Sequence, residues 1–407
     1  MSRPPLSYIT RFFAAVLFLA GASACEESGQ PAVPGASATA PVAGSATPAG
    51  SPTPVPPPPG PVRLNHIQVV GTHNSYHVEP AAAVLAMVGR YLPQLAASLQ
   101  YTHLPLARQL EEQAIRSLEL DVYADSAGGL YAQPAALRAA EPPGTPRPAL
   151  LAPGFKVLHL PDVDFETTCL TFVACLSEIA AWSRAHPGHV PLVVLVEAKD
   201  DPIPDLFGLG LVTPLAIGVP ELDALDGEVR SVFEPGHLIT PDDVRGRRST
   251  LEEAVLYDGW PEIAAVRGRV VLVLINGGDI RDAYRSGRPS LEGRAMFTFS
   301  SPGEPDAAFI KRDDASQQAA AIRDLVAAGY IVRTRADANT VQARTGDTAM
   351  RDSALASGAQ VVSTDYPVAD ARWAGGYAVR LGNGLAARCN PVLAPVTCAD
   401  AGLELGR

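Results

Sequence analysis

Four short segments place ionisable groups at the ends of apolar, β-branched runs: GTHNSYH at 71–77, LELDVY at 118–123, HLPD at 159–162 and VEAKDD at 196–201. Burying a carboxylate or an imidazole there costs on the order of several kcal/mol unless a metal, a substrate or a partner compensates it. Four such segments in one chain therefore call for a common explanation. Glu119 and Asp121 are two apart in a strand-like run, so both point to one face while Leu118, Leu120 and Val122 point to the other. The same parity puts Glu197 and Lys199 on one face with Val193 and Leu195. Three inward carboxylates and the amide oxygen of Asn74 form an all-oxygen set, which suits a hard cation such as Ca²⁺ better than Zn²⁺. His73 and His159 beside that cation suggest proton transfer at a phosphate ester, one imidazole taking a proton or stabilising the phosphorane and the other protonating the leaving oxygen. The residues thus point to metal-assisted phosphodiester cleavage.

Such groups need a scaffold that brings distant segments together. Apolar runs of strand length recur at 66–72, 115–123, 155–160, 190–197, 237–240, 269–276, 329–335 and 359–364, with helical stretches between them. Leu170, Val173, Leu176, Ile179 and Trp182 recur at three-residue steps before HPGHVP ends the helix, and AAAIRDLVAA (319–328) closes on Gly329. This alternation predicts a parallel barrel of the (β/α)8 kind in a single catalytic domain, with a distorted strand count possible because 296–300 (AMFTF) is a further short run. In such a barrel catalytic groups come from the carboxyl ends of several strands. His73, Asp121, His159 and Glu197 fall at that end of runs one to four.

Each group also has a purely structural reading. Glu119 and Asp121 could pair with Arg116 or another interior arginine, and Glu197 with Lys199. His77, His103, His186, His189 and His237 read as surface or capping residues and are assigned no chemistry. Asp365 and Tyr366 either line the site from the last strand or merely end it. Trp182, Trp260 and Trp373 read as core.

GTHNSY, LELDVY, HLPD and VEAK together resemble the catalytic X-region of phosphoinositide-specific phospholipases C, in its bacterial Ca²⁺-dependent branch. The motif match spans about 64–200, and HLITPDDVRG (237–246), GWP (259–261) and STDYP (363–367) fit the wider phosphodiesterase-barrel superfamily. The resemblance implies that His73 and His159 are the catalytic imidazoles and that Asn74, Glu119, Asp121 and Glu197 ligate Ca²⁺. It further implies that the inositol's own hydroxyl attacks phosphorus, with diacylglycerol leaving and a cyclic inositol phosphate forming first. His159 is then the expected general acid, while Glu119 and Glu197 both remain candidates for the base. Lys199, Arg333 and Arg335 are candidate phosphate contacts, with Tyr366 a weaker substrate contact. The expected partner is a phospholipid at a membrane surface. A glycerophosphodiester phosphodiesterase is the second reading, although it predicts an HRG-type first motif that GTHNSY is not. A third is a non-catalytic lipid-binding surface lipoprotein, which the six filled positions disfavour.

The amino end reads as an export signal over 1–25: Arg3 and Arg11 flank its start, Phe12 to Ala20 is apolar and Ala22-Ser23-Ala24 is a small-residue cleavage site. Cys25 follows directly and suits lipid attachment, ordinary cleavage after Ala24 being the alternative. A cell-surface lipoprotein or a secreted protein is expected. Five cysteines leave one over in an oxidising compartment. With Cys25 acylated, Cys169, Cys175, Cys389 and Cys398 form an even set whose simplest pairing closes two short loops. That pairing requires Cys169 to precede its helix, since residues six apart on one helix face different ways. Residues 26–62 are almost wholly Pro, Ala, Gly, Ser, Thr and Val and read as a spacer; residues 63–407 form the catalytic domain. The net charge of −11 argues against nucleic acid and makes attraction to anionic lipid depend on a bound cation. A monomer is expected.

Overall fold

The computed structural model describes residues 60–405 apart from 91, 140–146, 204 and 206–209. The expected signal segment, Cys25 and all but the last residues of the spacer lie outside the described residues.

Ten strands occur in chain order: β1 (Ile67–Thr72), β2 (Ser117–Tyr123), β3 (Lys156–Val157), β4 (Leu192–Ala198), β5 (Val270–Leu274), β6 (Phe297–Thr298), β7 (Phe309–Asp314), β8 (Ile331–Arg335), β9 (Val361–Thr364) and β10 (Ala387–Cys389). Eight of them form a parallel barrel in the order β6-β5-β4-β2-β1-β9-β8-β7, while β3 and β10 add antiparallel pairs to β2 and β1. Continuous valine and leucine runs such as LVVLV in β4 and VVLVL in β5 are what a strand buried on both faces requires. The ring is nearly closed, because the β6–β7 edge carries a single parallel bridge, Phe299 to Phe309. Aromatic packing fills that seam. Phe297 and Phe309 meet edge to face at 5.2 Å, and Trp260 lies 5.3 Å from Phe309 with its indole N–H donating to the Gly329 carbonyl.

The (β/α)8 expectation is therefore met, with two corrections to the strand list. The run 155–160 yields only the antiparallel β3, and 237–240 contributes one bridge, Leu238 to Val270, after a short 3₁₀ turn. Their places in the barrel are taken by β6, within the extra run at 296–300, and by β7. β7 reads FIKRDD, with a polar half whose side chains face the barrel mouth and its rim, so no apolar run marks it.

The helix Phe172–Ala185 buries Phe172, Cys175, Leu176, Ile179 and Trp182, and leaves Val173, at the expected apolar spacing, exposed. Thr171 caps it by accepting the Ala174 N–H. Cys169 precedes it and pairs with Cys175, and Cys389 pairs with Cys398, which matches the expected pairing. Gly329, at φ 113°, ends the helix Ala315–Ala328 in the left-handed conformation that glycine adopts without a Cβ clash. Arg116 pairs with Glu404 at 2.5 Å near the carboxyl end of the chain. No helix among the described residues is long and apolar enough to cross a membrane.

Candidate active site

β1 runs directly into the first motif. The His73 N–H donates to the Thr364 carbonyl of β9, and Asn74 takes φ 44°, which turns the chain sharply so that both side chains leave the strand end. A buried polar network fixes this turn. Thr72 Oγ1 lies 2.6 Å from Ser75 Oγ, Ser75 Oγ accepts the Glu119 N–H at 2.7 Å, and Gln109 donates to the Ser75 carbonyl. These bonds tie the turn to β2, with which β1 shares only the Gly71–Ser117 register pair. At Gly71 a Cβ would stand 2.6 Å from Ser117 Cβ, so the close approach needs glycine.

His73 Nδ1 lies 2.8 Å from Asp365 Oδ1, and its Nε2 lies 3.7 Å from Glu119 Oε1. Arg335 reaches the same pair, with Nη2 3.3 Å from Asp365 Oδ2. Asp365 is buried, which works against its charge, but His73 and Arg335 hold its carboxyl far below the usual range. His159 is oriented similarly: Nδ1 meets Asp164 Oδ2 at 2.6 Å, and its carbonyl accepts the Tyr123 hydroxyl at 3.0 Å. Both imidazoles are about a fifth exposed, with side-chain accessibilities of 21% and 22%. Each is therefore held through Nδ1 by a buried carboxylate while part of the ring meets solvent.

Oxygens of Glu119, Asp121 and Glu197 lie within 4.8 Å of one another. In register across the sheet, Asp121 of β2 sits beside Glu197 of β4. Lys199 Nζ stands 2.5 Å from Asp121 Oδ2 and 3.7 Å from Glu197 Oε2. Burial pushes the Asp121 carboxyl up; Glu197 is shifted down because Lys199 and Lys311 outweigh its burial, and both histidines add to that pull. Asn74 Oδ1 and Asp121 Oδ1 are buried without a hydrogen-bond partner. A carboxylate trio that itself holds an orphaned oxygen, with a second orphaned oxygen on Asn74 just past the end of β1 and no nitrogen or sulfur in the set, fits a hard oxygen-seeking cation such as Ca²⁺.

The structure brings His73, Asn74, Glu119, Asp121, His159, Glu197 and Lys199 to the barrel's carboxyl end, but His159 arrives differently from the expectation. It follows the antiparallel β3, outside the barrel ring. Glu119 pairs at 2.8 Å with Arg333, an interior arginine other than Arg116, as its structural reading allowed. Arg333 is almost fully enclosed between Glu119 and Asp313, so it serves as an internal counter-ion and does not project as a phosphate contact. Arg335 is the more accessible of the two arginines. Tyr366 is buried, and its hydroxyl donates to the Gln100 carbonyl at 3.2 Å. Asp365, just past the end of β9, stands against His73 and Arg335.

Three participants lie outside the expected set of site residues. Asp164 lies two residues beyond Asp162 in LPDVD, so the second carboxylate after the histidine was the available clue. His77, at the end of the first motif, bonds Asp164. Asp313 lies on β7, the strand that hydropathy hides.

A parallel barrel that carries two carboxylate-held imidazoles beside an all-oxygen cation cradle is the architecture of a phosphoric diester hydrolase. The sequence makes the assignment specific, since residues 62–391 match the family model for Ca²⁺-dependent phosphoinositide phospholipase C. The chain belongs to that family, and Ca²⁺ is the family's cation. Solved structures similar to it include a calcium-dependent phosphoinositol-specific phospholipase C from Pseudomonas sp. (18% identity, 81% of this chain and 95% of that one, TM-score 0.47). Another is the Ca²⁺-dependent phosphatidylinositol-specific phospholipase C from Streptomyces antibioticus (18% identity, 75% and 95%, TM-score 0.47). The phosphatidylinositol-specific phospholipase C from Listeria monocytogenes is also similar (11% identity, 76% and 91%, TM-score 0.42). No curated protein matches the chain.

Proposed function

We propose that this chain cleaves the glycerol–phosphate ester of phosphatidylinositol at a membrane surface by attack of an inositol hydroxyl, with His73 and His159 as the catalytic imidazoles. Asn74, Glu119, Asp121 and Glu197 would hold Ca²⁺, which when bound supplies positive charge to the phosphoryl oxygens and acidifies a bound hydroxyl. The observation that carries the reading is the paired anchoring of the imidazoles, His73 by Asp365 and His159 by Asp164. A carboxylate on Nδ1 sets the tautomer and leaves Nε2 to work on the substrate. His73 Nε2 faces Glu119 and Arg335, a setting suited to charge that develops on a phosphoryl oxygen and on the attacking hydroxyl. His159 Nε2 has no hydrogen-bond partner among the described residues, which suits delivery of a proton to the departing glycerol oxygen. Glu119 is already paired with Arg333, and Glu197 is a third exposed at the mouth. That difference favours Glu197 as the base that takes the inositol proton.

The apolar segment 12–20, the cleavage site 22–24 and Cys25 support export over 1–25 with lipid attachment at Cys25. Residues 26–62 would then space the catalytic domain 63–407 from the surface, as a monomer. The two disulfides accord with an oxidising compartment.

Phosphatidylinositol vesicles incubated with the protein, with Ca²⁺ or with a chelator, and phosphorus NMR of the soluble product test the reading. Ca²⁺-dependent appearance of a cyclic inositol phosphate, lost in His73→Ala, is expected. Release of a linear phosphate with no cyclic species at early times would overturn the intramolecular attack.

A further inference from the structure

His77 is enclosed completely and belongs to neither the acidic trio nor the two imidazoles assigned to the reaction. Its ring nevertheless makes two directed contacts. Nδ1 lies 3.1 Å from the Tyr101 carbonyl oxygen, and Nε2 lies 3.0 Å and 3.1 Å from the two oxygens of Asp164. A carbonyl oxygen can only accept, and so can an ionised carboxylate. Burial works against the Asp164 charge, but His77 and His159 hold its carboxyl down, and Asp164 in turn raises the proton affinity of His77 against its own burial. With Asp164 ionised between the two rings, His77 donates from both nitrogens. Tyr101 stacks on it at 4.2 Å, and His159 meets it edge-on at 6.1 Å. The result is a chain of three groups in which one carboxylate accepts from His77 on one side and from His159 on the other.

The charge in that chain matters for an acid. A lone buried carboxylate behind an imidazole orients it but also strengthens its grip on the proton it is meant to release. A cationic partner behind the carboxylate removes that excess hold and keeps the orientation. We infer that His77 is a positioning residue that neutralises and aims Asp164, so that His159 keeps its proton on the working nitrogen yet yields it to the leaving alkoxide. This inference rests on the assignment of His159 as the general acid.

A leaving-group comparison separates the two claims. Diacylglycerol departs as an alkoxide that needs a proton, whereas the p-nitrophenolate of p-nitrophenyl inositol phosphate does not. In the full-length enzyme, His159→Ala is expected to lose far more turnover on phosphatidylinositol than on the aryl ester; equal losses would overturn the acid assignment itself. His77→Asn keeps a donor toward Tyr101 and removes the one to Asp164. It is expected to lower kcat on phosphatidylinositol at least tenfold with KM unchanged, and to stay within about threefold on the aryl ester. His77→Gln, which keeps a donor toward Asp164, is expected to recover part of the loss. A selective loss in His159→Ala with equal or no losses in both His77 variants would leave the acid in place and overturn the role of His77. Nitrogen-15 NMR of the wild-type enzyme at neutral pH gives a readout that needs no folded variant. Two protonated ring nitrogens at His77 are expected, and a single N–H would refute the inference.

Discussion

Lys199 Nζ stands 2.5 Å from Asp121 Oδ2 and 3.7 Å from Glu197 Oε2, so a lysine from this chain already faces two of the three carboxylates assigned to the cation. Burial lowers the affinity of Lys199 for its proton, but Asp121 and Glu197 reverse this and keep it firmly charged. A divalent cation entering the trio meets that ammonium at close range. Two like charges a few ångströms apart repel by several kcal/mol at an effective dielectric near 20. Lys199→Met is therefore expected to tighten Ca²⁺ binding by about tenfold in calorimetry, and to melt earlier than wild type in chelator, where the carboxylates lose their counter-ion. Weaker Ca²⁺ binding in Lys199→Met would show instead that the ammonium is needed to hold Asp121 in its ligating position.

The two arginines of β8 separate structure from function. Arg333 neutralises Glu119 and Asp313 inside the barrel, and removing one partner of a buried pair leaves an uncompensated charge that costs about 3–5 kcal/mol. Arg333→Gln is expected to show that loss in urea unfolding. Arg335→Gln, at the rim beside His73 and Asp365, is expected to lose less stability than Arg333→Gln, because His73 still faces Asp365, and to lower kcat/KM on phosphatidylinositol by about tenfold or more. Comparable stability losses in both variants would contradict this division.

Asp337 gives a pH signature. It is buried beside Asp365, and burial first and that neighbour second push its carboxyl up to about 6 from an ordinary 3.8. A carboxyl raised on folding adds stability that is fully present below about 3.8 and is lost as pH rises through about 6. The difference between the two values corresponds to on the order of 3 kcal/mol. Asp337→Asn lacks this titration, so its stability relative to wild type should rise between about pH 4 and pH 6 and level off above. A difference that stays flat over that window would mean that Asp337 is charged throughout.

Much of the site was legible in the sequence because strand parity is rigid. Glu119 and Asp121, and likewise Glu197 and Lys199, had to share faces, and the aliphatic residues of β1, β2 and β4 announced themselves. What failed were inferences that needed hydropathy where none was available. β7 presents FIKRDD, whose polar half carries Asp313 for Arg333, so the strand and the second counter-ion of Arg333 are hidden together. Conversely, FKVLHL is apolar because Phe155, Val157 and Leu158 are buried where it pairs antiparallel with the end of β2, and apolarity alone cannot distinguish such a pairing from a barrel stave. The network through Gln109, Ser75 and Asp164 depends on contacts between segments many residues apart, which no local pattern encodes.

The separate footing of His159 has a practical corollary. Its segment hangs on β3, on a bridge from Thr167 to His77 and on the Cys169–Cys175 clasp, whereas His73 and the acidic trio are built into the ring. Cleft shape on the leaving-group side and the carboxylate cradle are thus governed by different parts of the polypeptide. Grafting a different 156–172 insert that keeps the histidine would re-aim the acid toward other alcohols while the ladder that carries the cradle stays intact, so leaving-group preference is open to redesign with the ligand positions kept.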